Sequence, residues 1–477
     1  MSITGLMIFQ SILFARKTVK PLSILLLITN SIAGYFITAY HLVLNKTMLM
    51  NILDTNFFEA TEWMGISFWV YVILFGIVPS IVVWRLKIEF EPFKLHFRKT
   101  LSLLAIMLFL LSIFLPYRTS VKIYLKTNFN LRYQFVPTGY VSGVVGVISN
   151  YLKKVEGLNT TAGMEFHPYW KGKKKNLFVF VLGESARDAN FSLSGYRRNT
   201  AEPLQAFLRD MIVFKKTESC GVVTRVSVPC MFNAFTRENY KEQALPYTTN
   251  ALDILSQNGI DLLWLDNELG CNKVCRNIQT EYTCETRDCV DMLLNDAFRD
   301  KMSGFTKDTF VVLHQRGSHG PRYDLRVPAE YKKWKPYCDR ADSTSCAYEE
   351  LVNTYDNTMY YTSLVIADLI KTLSKMTDEY NPVLMYISDH GESLGEGEIY
   401  GHGGDFKDAP DVQKQVPFFV WMPKSTRQAL GMSKRCMRNK TKQQQTQDAI
   451  FHSILGWAGI STDVYDENLD IFAGCHH

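Results

Sequence analysis

The 477 residues predict two architectures in one chain: an α-helical transmembrane domain, then an α/β soluble domain whose mostly parallel sheet is sandwiched by helices. Three observations predict this. Long apolar runs crowd residues 1–117. Beyond Asn176, apolar runs of strand length alternate with helical stretches. All ten cysteines fall after residue 219, which suits an oxidising compartment such as a bacterial periplasm.

Residues 3–15 are apolar but shorter than the about 20 residues that a span needs. No small-residue cleavage site follows. They read as a signal-like segment, an interfacial helix, or the tail of a helix whose start is missing. Residues 21–44 and 65–84 are long enough to cross, and 101–117 just long enough. Arg16, Lys17 and Lys20, and the basic connection Arg85, Lys87, Lys94, Arg98 and Lys99, stay inside. Everything after Tyr117 is then delivered outside. Residues 1–120 thus form a multi-pass transmembrane domain and 121–175 a bridging amphipathic segment. Within that bridge, 143–152 suits either the membrane surface or a buried helix of the soluble part.

In the outer loop, Asn51, Thr55 and Glu59 stand at i, i+4 and i+8, one face of a helix. Such a stripe is either the solvated side of a loop helix or a contact for lipid headgroups. The soluble domain, 176–477, opens with Leu177 to Leu182, a strand expected to be buried on both faces. Helices are expected over 201–212 and 250–258, and strands over 260–265, 309–314, 383–388 and 416–421. The formal charge of +5, without a basic and aromatic cluster, argues against nucleic acid as a partner. Among the cysteines, 220 with 230, 271 with 275, 284 with 289, and 338 with 346 are near neighbours, leaving Cys436 and Cys475. The pairing stays open, and a four-cysteine zinc site from Cys271, Cys275, Cys284 and Cys289 is the rival reading.

Ligands of a parallel sheet gather at the carboxyl ends of its strands. Glu184, His319, Asp389 and His390 stand at or just after such ends. Thr224 lies in the loop between Cys220 and Cys230, and a threonine hydroxyl attacks phosphorus only when a base or metal lowers its pKa. Two carboxylates and an imidazole are zinc ligands that leave a fourth position for that hydroxyl. The alternative is that Glu184 and Asp389 merely cap the helices that follow. His319 and His402 are flanked by glycine; they could bind a second metal, hydrogen-bond phosphate oxygens or protonate a leaving group. A helix starting near Thr224 would aim its amino end at a phosphate.

The set L-G-E-S-A-R (182–187), C-G-V-V-T-R-V-S-V-P-C-M-F (220–232), G-S-H-G-P (317–321), S-D-H-G-E-S-L-G-E (388–396) and H-G (402–403) resembles the phosphoethanolamine transferases. That family includes lipid A modifying enzymes and mobile colistin-resistance proteins. The resemblance implies an alkaline-phosphatase-like fold and a phosphoethanolamine-threonine intermediate. It implies zinc on Glu184, Thr224, Asp389 and His390, with room for a second ion near His319 and His402. Phosphatidylethanolamine would be the donor and a lipopolysaccharide, at a lipid A phosphate, the acceptor, giving polymyxin resistance. It implies a monomer in the bacterial inner membrane, touching membrane lipid, with its catalytic domain in the periplasm. It assigns His319 and His402 to the substrate side and Asn51, Thr55 and Glu59 to the headgroup. Asn267 and Lys273 resemble a substrate loop, although Lys273 stands one place later than the family lysine. The family has five membrane helices where this chain offers three and a fragment, so it looks shortened at its start. Two rivals remain: a membrane-anchored phosphatase or sulfatase-like hydrolase, and an inactive membrane scaffold.

Overall fold

The computed structural model describes residues 18–476 except 43, 56, 91, 114, 128–130, 169–172, 269, 284–285 and 287–288. The apolar run 3–15 and Cys284 therefore lie outside the described residues. One compact unit holds the chain up to Thr55 and Trp63–Leu152; the other holds Asn56–Glu62 and Lys153–His477.

The first unit is helical: α1 (Val19–Tyr40), α2 (Lys46–Asp54), α4 (Ile66–Arg85), α5 (Phe93–Ser112) and α6 (Thr138–Leu152), with the six-residue α3 (Phe57–Glu62) belonging to the second unit. Two of these, α1 and α4, are long and apolar enough to cross a membrane. A π turn interrupts α4 at Ile73–Ile77. There Gly76 presses on Ser31 so closely that no Cβ would fit, and small residues are what let helix backbones approach in lipid. The third expected span is not straight, since Phe97–Leu110 and Leu115–Tyr124 meet at a 49° bend. α6 packs on α2, where Gly143 meets Leu49 and Lys46 reaches the Asn150 side chain at 3.1 Å. It is a helix of the first unit, not a buried helix of the soluble part.

The second unit is built on a seven-stranded sheet: β1 (Lys175–Gly183), β2 (Met211–Glu218), β3 (Asp261–Asp266), β4 (Gln279–Tyr282), β5 (Thr309–His314), β6 (Tyr380–Ser388) and β7 (Gln415–Trp421). In space the order is β2-β7-β6-β1-β5-β3-β4, and β7 alone runs antiparallel to both neighbours. The side chains of β1 alternate between faces. Phe178, Phe180 and Leu182 join one core with Trp264, Phe310 and Trp457, while Leu177, Val179 and Val181 join the other with Tyr355 and Leu369.

The expected helix over 201–212 is instead 3-10 turns from Glu202 to Asp210, followed directly by β2. Among the described residues, disulfides join Cys220–Cys230, Cys271–Cys275, Cys338–Cys346 and Cys436–Cys475. The 271–275 bond removes the four-cysteine zinc reading, because a thiolate already bonded to sulfur cannot ligate.

Candidate active site

Gly183 of β1 is paired with Ser388 of β6, so the chain leaves both strands side by side. Glu184 and Asp389 emerge together as a result. Ser185 follows at φ 55°, a left-handed conformation uncommon for a residue with a Cβ. Three bonds hold it there: its N–H donates to Asp389 Oδ1 at 3.0 Å, its hydroxyl to Glu184 Oε1 at 2.6 Å, and its carbonyl accepts from Tyr355 at 2.6 Å. Gly317, at φ 52°, closes on the same turn, where a Cβ would stand 2.5 Å from the Glu184 carbonyl oxygen.

Thr224 is the first residue of α7 (Thr224–Phe232), after an extended Val223. Its hydroxyl donates to Glu184 Oε2 at 3.1 Å and lies 3.3 Å from His390 Nε2. The loop before it is tied down by Gln447. Its side-chain oxygen accepts the Cys220 N–H at 2.7 Å, and its amide nitrogen donates to the Ser388 and Asp389 carbonyls at 2.7 and 2.6 Å. One side chain thus couples the Thr224 loop to the end of β6. Gln447 was not legible beforehand, because it sits far along the chain with no motif around it.

Glu184, Asp389 and His390 each offer one ligand atom, and these atoms all lie within 4.8 Å of one another. All three are wholly buried. His390 donates its Nδ1 proton to the Gly391 carbonyl at 3.0 Å, which turns the lone pair of Nε2 towards Asp389 Oδ2 at 3.1 Å and Glu184 Oε1 at 3.5 Å. Asp389 Oδ2 is buried with no hydrogen-bond partner. Burial, then the neighbouring charges of Asp389 and Glu268, pushes the Glu184 carboxyl well above its ordinary pKa. Burial likewise holds His390 below the ordinary value. Lone pairs gathered in a dry pocket call for a cation, and two carboxylates with one imidazole are a zinc-type donor set.

His319 and His402 lie next to one another, beside His390. The His402 ring centre stands 4.1 Å from that of His390 and 5.5 Å from that of His319. His402 Nδ1 donates to Glu392 Oε2 at 3.0 Å, and Glu392 Oε1 accepts from the Tyr323 hydroxyl at 3.1 Å. Burial alone would lower His402, but the charge and hydrogen bond of Glu392, with help from Asp389 and Glu59, leave it above its ordinary value. His319 is driven well below by burial and then by His402. Its Nε2 lies 3.5 Å from Glu59 Oε1.

The single helical face expected for Asn51, Thr55 and Glu59 does not form. α2 ends at Asp54, Thr55 turns extended at ψ 127°, and a second helix carries Glu59. Thr55 spends its N–H and hydroxyl on the Asn51 carbonyl, each at 3.0 Å. Glu59 belongs to the unit that contains the sheet, Asn51 and Thr55 to the other. The buried Asn267 donates its amide to Asp291 at 2.8 Å, and Lys273 stands exposed at φ 72°.

Residues 3–152 match the family model for phosphoethanolamine transferase EptA/EptB, and residues 176–460 match the sulfatase model. Phosphoethanolamine transferase EptA of Escherichia coli (strain K12) is 32% identical over 96% of this chain and 85% of its own length. Phosphatidylethanolamine transferase Mcr-1 of Escherichia coli is 31% identical over 86% of this chain and 80% of its own. Among solved structures, the integral membrane lipooligosaccharide phosphoethanolamine transferase A from Neisseria meningitidis superposes with a TM-score of 0.93 at 29% identity, covering 98% of this chain and 89% of that one. An alkaline-phosphatase-like domain, a helical amino-terminal part and similarity along nearly the whole chain agree: the chain belongs to the phosphoethanolamine transferase EptA/EptB family.

Proposed function

We propose that the chain transfers phosphoethanolamine from phosphatidylethanolamine to a lipid A phosphate through a covalent adduct on Thr224. The observation that carries it is the Thr224 hydroxyl at the amino end of α7, 3.1 Å from Glu184 and 3.3 Å from His390, whose Nε2 lies 3.1 Å from a buried Asp389 oxygen that takes no hydrogen bond. Glu184, Asp389 and His390, with Thr224 as the fourth ligand, would hold one zinc ion. Zinc there supplies the positive charge that lowers the pKa of a facing hydroxyl.

The remaining steps belong to the chain's own groups. The amino end of α7 presents backbone N–H groups to the phosphate oxygens. Thr224 Oγ1 forms a bond to phosphorus as the bond to the diacylglycerol oxygen breaks. The Thr224 proton leaves to solvent as the alkoxide forms, and His402, oriented by Glu392, donates its own proton at that leaving oxygen to give the diacylglycerol hydroxyl; it regains one from the incoming lipid A phosphate in the second step. His319 and Glu59 stand on the substrate side, Glu59 being the carboxylate for the ethanolamine ammonium. A lipid A phosphate then displaces Thr224 in a second, equivalent step. The added amine lowers the negative charge of the outer surface and weakens its pull on polymyxin and other cationic peptides.

The disulfides among the described residues favour a periplasmic catalytic domain, and α1, α4 and the bent pair favour an inner-membrane anchor. Purified protein given fluorescent phosphatidylethanolamine, with and without lipid A, tests the assignment. Transfer predicts diacylglycerol release that rises with lipid A and a lipid A product heavier by one phosphoethanolamine. Equal release of free phosphoethanolamine in both arms would mean a hydrolase, and no release a scaffold.

A further inference from the structure

A buried cluster beside the site takes no part in the chemistry above. Glu62 closes α3, and both its side chain and that of Arg326 are 1% exposed. Arg326 grips that carboxylate with both terminal nitrogens, Nη1 to Oε1 at 3.2 Å and Nη2 to Oε2 at 2.5 Å. Arg316 adds Nη2 at 3.4 Å. The remaining Arg326 nitrogen, Nε, donates to the main-chain carbonyl of His319 at 2.9 Å. One guanidinium therefore fastens α3 to the loop that carries His319.

Glu59 lies three residues before Glu62, on the same side of α3, with its carboxylate 3.5 Å from His319 Nε2. A buried ion pair is a weak source of net stability, since apolar residues of similar shape do as well. What a planar guanidinium does supply is a single orientation for the carboxylate it binds in fork fashion. We infer that Glu62 and Arg326 are positioning residues, whose pair sets where Glu59 stands against His319 and so how the ammonium of the donor headgroup is held. The inference rests on the donor assigned above.

The test uses the full chain in detergent with fluorescent phosphatidylethanolamine. Glu62→Gln keeps the shape of the side chain and removes its charge. Its kcat/KM should fall about tenfold, mostly through KM, in the otherwise natural chain, and less than twofold in a Glu59→Gln background, because effects acting through one residue do not add. Hydrogen exchange should rise together over residues 57–62 and the His319 loop. Equal losses in the two backgrounds, no loss at all, or unchanged exchange would overturn the inference. If Glu62→Gln does not fold, Glu62→Asp repeats the comparison with the charge kept and the reach shortened. Absence of turnover by the natural chain would overturn the donor instead, and hydrogen exchange would still decide the role of the pair.

Discussion

Thr224 is an ordinary alcohol, and its proposed role as nucleophile depends on the set of atoms that faces it. The same holds for His402, whose proton is kept by its neighbour. Glu392 contributes both the charge that raises His402 and the hydrogen bond that fixes its tautomer. Glu392→Gln should lower kcat on the order of tenfold to 100-fold, no more than the low end of the roughly 100- to 10,000-fold ascribed to a positioned acid, because His402 itself remains. The sign of the accompanying pH effect follows from the shift. His402 donates only while protonated, so removing the group that raises its pKa brings the alkaline loss of activity to lower pH. A pH–rate profile measured on both forms checks this. An unmoved alkaline limb would take His402 out of the proton transfer.

Among elements, the ends of β1 and β6 and the start of α7 converge, and Gln447 laces them together. Gln447→Leu leaves the Cys220 N–H and the Ser388 and Asp389 carbonyls without their partner inside a buried region. Each orphaned group costs about 1–3 kcal/mol, so a loss on the order of 3 kcal/mol is expected in denaturant unfolding, with weaker retention of the proposed zinc ion. β1 and β6 were readable because strands covered on both faces are continuous apolar runs ending at a polar ligand. β2 was not, because Lys215 and Lys216 interrupt an edge strand that follows the 3-10 turns without a break, so that 201–212 carried a helix-like pattern. The metal-type cluster was readable from its motifs. The stripe of Asn51, Thr55 and Glu59 was readable as spacing, its headgroup role came only from the family resemblance, and the extended Thr55 that splits it left no mark in the residue types.

At the scale of the whole molecule, residues as far apart as Glu184 and Asp389 meet because the parallel strands β1 and β6 bring their carboxyl ends to one edge. Global stability carries its own pH signature. Asp470 is 2% exposed and its carboxyl is pushed up to about 7 by burial, against hydrogen bonds from Phe472 N–H and the Tyr465 hydroxyl. A folded-state pKa raised above the unfolded value of 3.8 means that the folded chain holds this proton longer. Its contribution is full below pH about 4 and is lost as pH rises to about 7, roughly 4 kcal/mol in all. Calorimetry of the natural chain and of Asp470→Asn across pH 4 to 8 should show the variant losing less of its Tm over that window. Parallel curves would contradict the assignment.

The account rests on Thr224 becoming a phosphorus nucleophile between Glu184 and His390. Intact-protein mass spectrometry after incubation with phosphatidylethanolamine, without an acceptor, addresses it most directly. The natural chain should gain the mass of one phosphoethanolamine, and the folded Thr224→Ala variant should gain none. The same adduct on that variant would contradict the account.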